Sequence, residues 1–172
     1  GGYDERFRTN QDAELNERLR RAGGTVLLDP ALAVGYLPRG DVAALARQFR
    51  GYGRGRAMTA RRHPGSLRAR QLAAPVLMAG LGATAVLAVV GAVLGLGRWT
   101  AVPLAAGTAG YGALLVIGAL RTGPAARRRL AAVVLALGTM HLAWGAGFLG
   151  SVLRPGPAAA GAGPGRRTRD RG

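Results

Sequence analysis

The sequence predicts a chain made of two joined parts. Residues 1–70 read as a mixed α/β segment holding a helix, two short strands and an amphipathic helix, and residues 71–153 read as an all-α region of three membrane-crossing helices. Charge is the first ground for this. Of 172 residues, 24 are basic and 8 acidic, a net charge of +16, yet residues 71–153 contain five arginines and no acid. Hydropathy is the second: 49% of the residues are apolar, with the long uncharged runs all beyond Gln71. The third is spacing, which before residue 70 alternates between helical and strand-like periods.

Several classes fall away at once. A disordered polycation lacks the apolar residues seen here. With no cysteine there is no disulfide, thiolate nucleophile or iron–sulfur cluster, and with only His63 and His141 a histidine metal site is not expected. Every basic residue is Arg, which alongside the abundant Ala and Gly reads as coding bias. Gly1-Gly2-Tyr3-Asp4-Glu5 reads as the middle of a domain, so the chain is expected to be the C-terminal piece of a longer protein.

In the first part, Thr9 or Asn10 is placed to cap a helix whose opening turn holds Asp12 and Glu14, acids that favour the positive helix end. Leu15, Leu19 and Ala22 form its apolar stripe, and Gly23-Gly24 ends it. Thr25 to Leu28 and Ala33 to Tyr36 are the two strand candidates, separated by Asp29-Pro30. Asp41 then caps a second helix with Val42, Leu45, Phe49 and Tyr52 on one side and Arg47, Arg50 and Arg54 elsewhere. Such a basic amphipathic helix suits an anionic lipid surface. Gly51, Gly53 and Gly55 weaken its end, which leaves Tyr52 to Arg56 open as a loop offering phosphate donors. Seventy residues of this kind lack a covering sheet of their own, so upstream sequence is expected to supply it.

The spans are read at about residues 75–97, 99–120 and 130–153, each long enough to cross the roughly 30 Å hydrocarbon core. Their apolar character continues all round, unlike the helices of a soluble bundle. Arg61, Arg62, Arg68 and Arg70 precede the first span and Arg121, Arg127, Arg128 and Arg129 lie between the second and third, against Arg98 alone between the first and second. Residues 1–70 are therefore expected to be cytoplasmic. Three crossings then put residues 154–172 outside. That tail, rich in Pro, Gly and Ala and expected to be disordered, carries five arginines against the rule. Gly91 and Gly95 have the spacing of a close helix contact, His141 reads as a hydrogen-bonded packing residue, and Trp99 stands where an interfacial anchor belongs.

A run of motifs adds a further layer: Gly1-Gly2-Tyr3-Asp4-Glu5-Arg6-Phe7, Asn10-Gln11-Asp12-Ala13-Glu14-Leu15-Asn16, Arg18-Leu19-Arg20-Arg21-Ala22-Gly23, Leu28-Asp29-Pro30, Tyr36-Leu37-Pro38-Arg39, Arg47-Gln48-Phe49-Arg50-Gly51-Tyr52-Gly53-Arg54 and His63-Pro64-Gly65-Ser66-Leu67-Arg68. In this order, before membrane spans, they resemble the C-terminal part of a membrane-bound family 2 glycosyltransferase of the succinoglycan type. The resemblance implies a GT-A α/β catalytic domain whose acidic dipeptide supplies a general base. Gln11-Asp12 matches that dipeptide, making Asp12 the implied base, with Gln11 in the place of the first acid. It also implies that Gln48, with Arg50 or Arg54, approaches the donor diphosphate and the acceptor. Where relatives carry a histidine after the second strand this chain has Val34-Gly35-Tyr36, leaving Tyr36 a hydroxyl at most. A divalent metal, Mg or Mn, is implied through an upstream acidic motif; no Asp-x-Asp is present here, and the fragment is expected to be inactive alone.

The implied function is an inverting transfer of a sugar from a nucleotide-sugar donor to a lipid-linked or growing saccharide, at the cytoplasmic face of a bacterial plasma membrane. Membrane lipids are then partners. Nucleic acid is not, because basic flanks of spans already account for much of the arginine. A second reading is a non-enzymatic, membrane-anchored scaffold or anionic-lipid-binding protein of a polysaccharide assembly. It accounts for charge and spans and leaves the motif order unexplained.

Overall fold

Regular structure among the described residues is helical throughout. The computed structural model describes residues 2–7, 9–35 and 40–154. Its helices are α1 (Gln11–Arg21), α2 (Val42–Arg62), α3 (Ala73–Val93), α4 (Gly97–Arg121), α5 (Pro124–Arg128) and α6 (Leu130–Leu153), with a 3-10 turn at Ala69–Gln71.

The expected α/β portion is overturned, since no strand is found among the described residues. Thr25 to Leu28 and the described part of Ala33 to Tyr36 run as irregular chain. A strand requires a neighbour to pair its N–H and C=O groups, and none lies beside them. Leu27, Leu28, Leu32 and Val34 are each more than three-quarters exposed, so strand propensity is present without a sheet to receive it. The turn between them does form, with the Asp29 carboxylate accepting from the Ala31 amide at 2.9 Å. Tyr36-Leu37-Pro38-Arg39 and residues 155–172 lie outside the described residues.

Neither proposed cap closes α1 with its side chain. Asn10 holds the cap position with a left-handed φ of 61°, and its amide reaches across to the Tyr52 carbonyl at 3.3 Å. Thr9 Oγ1 donates to the Gly51 carbonyl at 3.0 Å. These contacts tie the entry of α1 to α2 over 42 residues of sequence. Gly23, with φ 83°, ends α1 as expected.

The loop considered for Tyr52 to Arg56 does not occur, because α2 continues unbroken to Arg62. Glycine costs helix stability, roughly 1 kcal/mol relative to alanine, and packing explains its use here. A Cβ on Gly55 would stand 2.7 Å from the Thr9 carbonyl oxygen, and one on Gly53 would run into the Trp144 carbonyl of α6. Reciprocally, Gly147 of α6 sits against the Arg50 carbonyl. Helices α2 and α6 thus meet backbone to backbone, as small residues allow.

Three helices are long and apolar enough to cross a membrane: α3, α4 and α6. Antiparallel packing of α3 on α4 brings Gly107 to Leu81 and Gly91 to Thr100. Gly95 takes no part in that contact; it lies in the turn after α3 with φ 74°. Val76, Val86, Val89, Val102 and Leu114 are all more than 60% exposed, an outer surface suited to lipid chains and costly in water. Trp99, 70% exposed at the α3–α4 turn, carries the Arg98 guanidinium 5.1 Å from its ring centre.

Candidate active site

Three cavities meet around Gln71, at the point where the 3-10 turn leads into α3. The first, of about 700 Å³, is lined by Gln11 and Asp12 from the start of α1, Phe49, Tyr52 and Arg56 from α2, and Trp144 from α6. Asp12 is exposed, and among the described residues no side chain hydrogen-bonds its carboxylate. It stands open to an incoming hydroxyl.

Arg56 forms a fixed positive wall of this cavity. It is 8% exposed, donates to Gln71 Oε1 at 3.1 Å and binds the Ser66 carbonyl. Burial, which strips water from the cation, lowers its pKa from the usual arginine value, and the Glu17 carboxylate works the other way. Gln71 Oε1 also accepts from the Arg68 amide at 3.0 Å.

The second cavity, of about 770 Å³, is mostly apolar and lies between α2, α3, α4 and α6. Phe49, Gln71 and Trp144 are walls of both this cavity and the one holding Asp12, while Leu77, Leu115 and Met140 face it from the membrane helices. His141 lines it, its Nδ1 3.3 Å from the Tyr111 hydroxyl; it is hydrogen-bonded as expected, but exposed and not packed. The third cavity, of about 740 Å³, is polar. Arg20, Arg56, Arg68 and Arg70 surround it with Glu17 among them, and Glu17 is held by Arg21 at 2.9 Å.

The structure brings Asp12 and Gln11 together and leaves Gln48, Arg50 and Arg54 outside these cavities. Gln48 donates to the Tyr52 hydroxyl at 2.7 Å and so touches the Asp12 cavity through that ring. Arg50 and Arg54 are exposed on other faces of α2. Arg56, Gln71 and Trp144 do line the Asp12 cavity and were not singled out as site residues. For Arg56 the signal was at hand, since α2 read as an unbroken helix puts it one turn past Tyr52. For Gln71 and Trp144 no local pattern existed, because their position depends on α6 folding back on α2.

Comparison with known proteins finds a relative that aligns over most of the chain. The succinoglycan biosynthesis protein ExoA of Rhizobium meliloti (strain 1021) is 40% identical to this chain over 151 residues. The match takes in 86% of this chain and 42% of that protein, so the chain spans less than half the length of the relative. No protein-family profile and no solved structure matches. The likeness read from the motif order is borne out at this level, and the chain is a homologue of this succinoglycan biosynthesis protein.

Proposed function

We propose that the chain forms the acceptor-side and membrane-embedded part of an inverting glycosyltransferase of bacterial exopolysaccharide synthesis, with Asp12 as general base. The observation that carries this reading is adjacency. An unpaired carboxylate lines a cavity that shares Phe49, Gln71 and Trp144 with an apolar groove between membrane helices, in a chain homologous to a succinoglycan biosynthesis protein.

The chemistry rests on that placement. The acceptor hydroxyl enters the cavity beside Asp12, which takes its proton as the oxygen attacks the anomeric carbon of a nucleotide sugar. The new C–O bond forms as the bond to the nucleoside diphosphate breaks on the opposite side, so configuration inverts. A lipid-linked acceptor would lie with its chain in the apolar groove and its saccharide toward Asp12. Confinement to the membrane plane raises its effective concentration there. Among the described residues no three His, Asp or Glu side chains are grouped to hold a metal. A divalent ion for the diphosphate would be held by residues outside these.

The test is Asp12→Asn in the full-length protein. Transfer should fall roughly a hundredfold to ten-thousandfold, as for loss of a general base, with donor binding retained. Turnover at the wild-type rate would reject Asp12 in this role.

A further inference from the structure

We propose that α6 does not cross the membrane but lies along its surface on α2, docked to the headgroup layer, so that Arg154 at its end stands on the side carrying Asp12. The inference rests on the chain being membrane-embedded and is independent of glycosyl transfer.

Consider where α6 begins. It starts nine residues after α4 ends at Arg121, with α5 in between, too short a link to recross the bilayer. Because α3 and α4 are antiparallel, the start of α6 lies on the face where α3 enters. A third crossing would carry position 145 about 22 Å inward, at 1.5 Å per residue, beside the far half of α3.

Gly145 is not there. A Cβ on it would stand 2.6 Å from the Ala74 carbonyl oxygen and 2.7 Å from Met78 Cγ, in the opening turns of α3. Residues beyond it turn to α2. Gly147 abuts the Arg50 carbonyl, and the Ser151 carbonyl accepts from the Arg61 guanidinium, both on α2, which precedes α3. Over its first twelve residues α6 runs back along α4, with Gly138 against Leu115 and His141 against Tyr111, and four residues on, at Gly145, it stands no deeper than the opening turns of α3, so it crosses the bundle obliquely instead of continuing inward.

This arrangement also resolves the charge pattern. With α6 in the membrane plane, Arg61, Arg62, Arg68, Arg70, Arg121, Arg127, Arg128 and Arg129 share one face with Arg154, and Arg98 beside Trp99 marks the other. Arg154 then no longer opposes the positive-inside rule. Length and hydropathy alone qualify α6 to span. Its exposed Leu135, Val152 and Leu153 equally suit the acyl boundary, while the exposed Arg47 and Arg54 of α2 are placed for anionic headgroup phosphates.

These 172 residues contain no cysteine, so once any cysteine elsewhere in the full-length protein is replaced by serine, single-cysteine mapping in cells reads the introduced positions alone. The variants are Ala69→Cys before α3, Leu94→Cys at the α3–α4 turn and Arg154→Cys after α6, each treated with a charged maleimide that does not cross bilayers. In intact cells Leu94→Cys should label, while Ala69→Cys and Arg154→Cys stay silent and rise by about tenfold or more on permeabilisation. Labelling of Arg154→Cys together with Leu94→Cys overturns the proposal, as does finding Ala69→Cys and Leu94→Cys on one side. A second measurement reads packing directly. In Arg61→Cys/Ser151→Cys a short bifunctional thiol reagent should join the two helices, and failure to do so when both cysteines are reactive also overturns it.

Discussion

The Glu14 carboxylate lies 3.0 Å from Nε2 of His63, 49 residues further along the chain, and has no exposure to solvent. Arg18, one helical turn on, donates to both of its oxygens at 2.9 and 3.0 Å. Burial alone would raise the Glu14 pKa; hydrogen bonds from His63 and Arg18 outweigh it and hold the carboxyl below its ordinary value. This one acid pins α1 to the end of α2, and with it the helix that begins at Gln11 and Asp12. Glu14→Ala leaves His63 without its buried partner. The loss should be about 2–3 kcal/mol, below a fully buried pair because Arg18 remains partly in water. Thermal unfolding of the detergent-solubilised protein measures it, and an unchanged midpoint would refute the anchoring role.

Acid should loosen the same corner. Asp4 is held down to about 2, first by the hydrogen bond from Arg6, with Arg62 adding a weaker pull. A carboxylate depressed by folding contributes stability above its unfolded pKa, near 4, and loses it as pH falls through the folded value. Stability should therefore decline between about pH 4 and pH 2. Asp4→Asn should be less stable at neutral pH and flatter across that window. A parallel shift of both proteins with pH would show that Asp4 is not responsible.

How far the sequence revealed this arrangement depended on the range of the contacts involved. The apolar helices were legible because each bilayer-length run that is apolar and almost free of charge between Leu72 and Leu153 is a local property of the sequence. The start of α1 at Gln11-Asp12 and its stop at Gly23 were legible for the same reason. Thr25 to Leu28 misled, since β-propensity says that a residue tolerates a sheet and not that a sheet is present. The Glu14–His63 pair, the Arg56–Gln71 contact and the fold-back of α6 onto α2 join residues 15 to 97 positions apart, which no periodicity encodes. Gly53 misled most directly. Read singly it weakens a helix; packed against Trp144 it is what lets two helices touch.

That seam gives a contrast within one helix. A Cβ at Gly53 would run into the backbone of Trp144 and Phe148, while one at Gly51 meets only the Thr9 methyl at an ordinary 3.5 Å. Gly53→Ala should separate α2 from α6 and destabilise by about 1–3 kcal/mol, the usual cost of overpacking. Gly51→Ala should be neutral or gain a few tenths to about 1 kcal/mol from helix propensity. Equal effects in thermal melts would mean that the seam is not tightly packed.

The last contrast concerns which arginines meet phosphate. The resemblance points to Arg50 or Arg54, but both face away from the three cavities, whereas Arg68 and Arg70 surround the polar one and Arg70 also borders the apolar groove. Arg56 is already committed to Gln71 and Ser66, which leaves the exposed Arg20, Arg68 and Arg70 as the guanidiniums able to turn toward a ligand, and of these Arg70 alone also borders the apolar groove. A substrate whose phosphate sits between lipid chain and sugar would meet Arg70 where groove and polar cavity join. Arg70→Gln should therefore raise KM for a phosphate-bearing substrate by about tenfold, the worth of one charge-assisted hydrogen bond. The effect should shrink as salt screens the partner charge. Arg50→Gln and Arg54→Gln should change KM less than about twofold, as exposed charges with no ligand usually do. Steady-state kinetics of the three variants beside the wild type decides between the two sets: a larger effect at Arg50 or Arg54 would return the phosphate to the outer face of α2 and leave the polar cavity without a ligand.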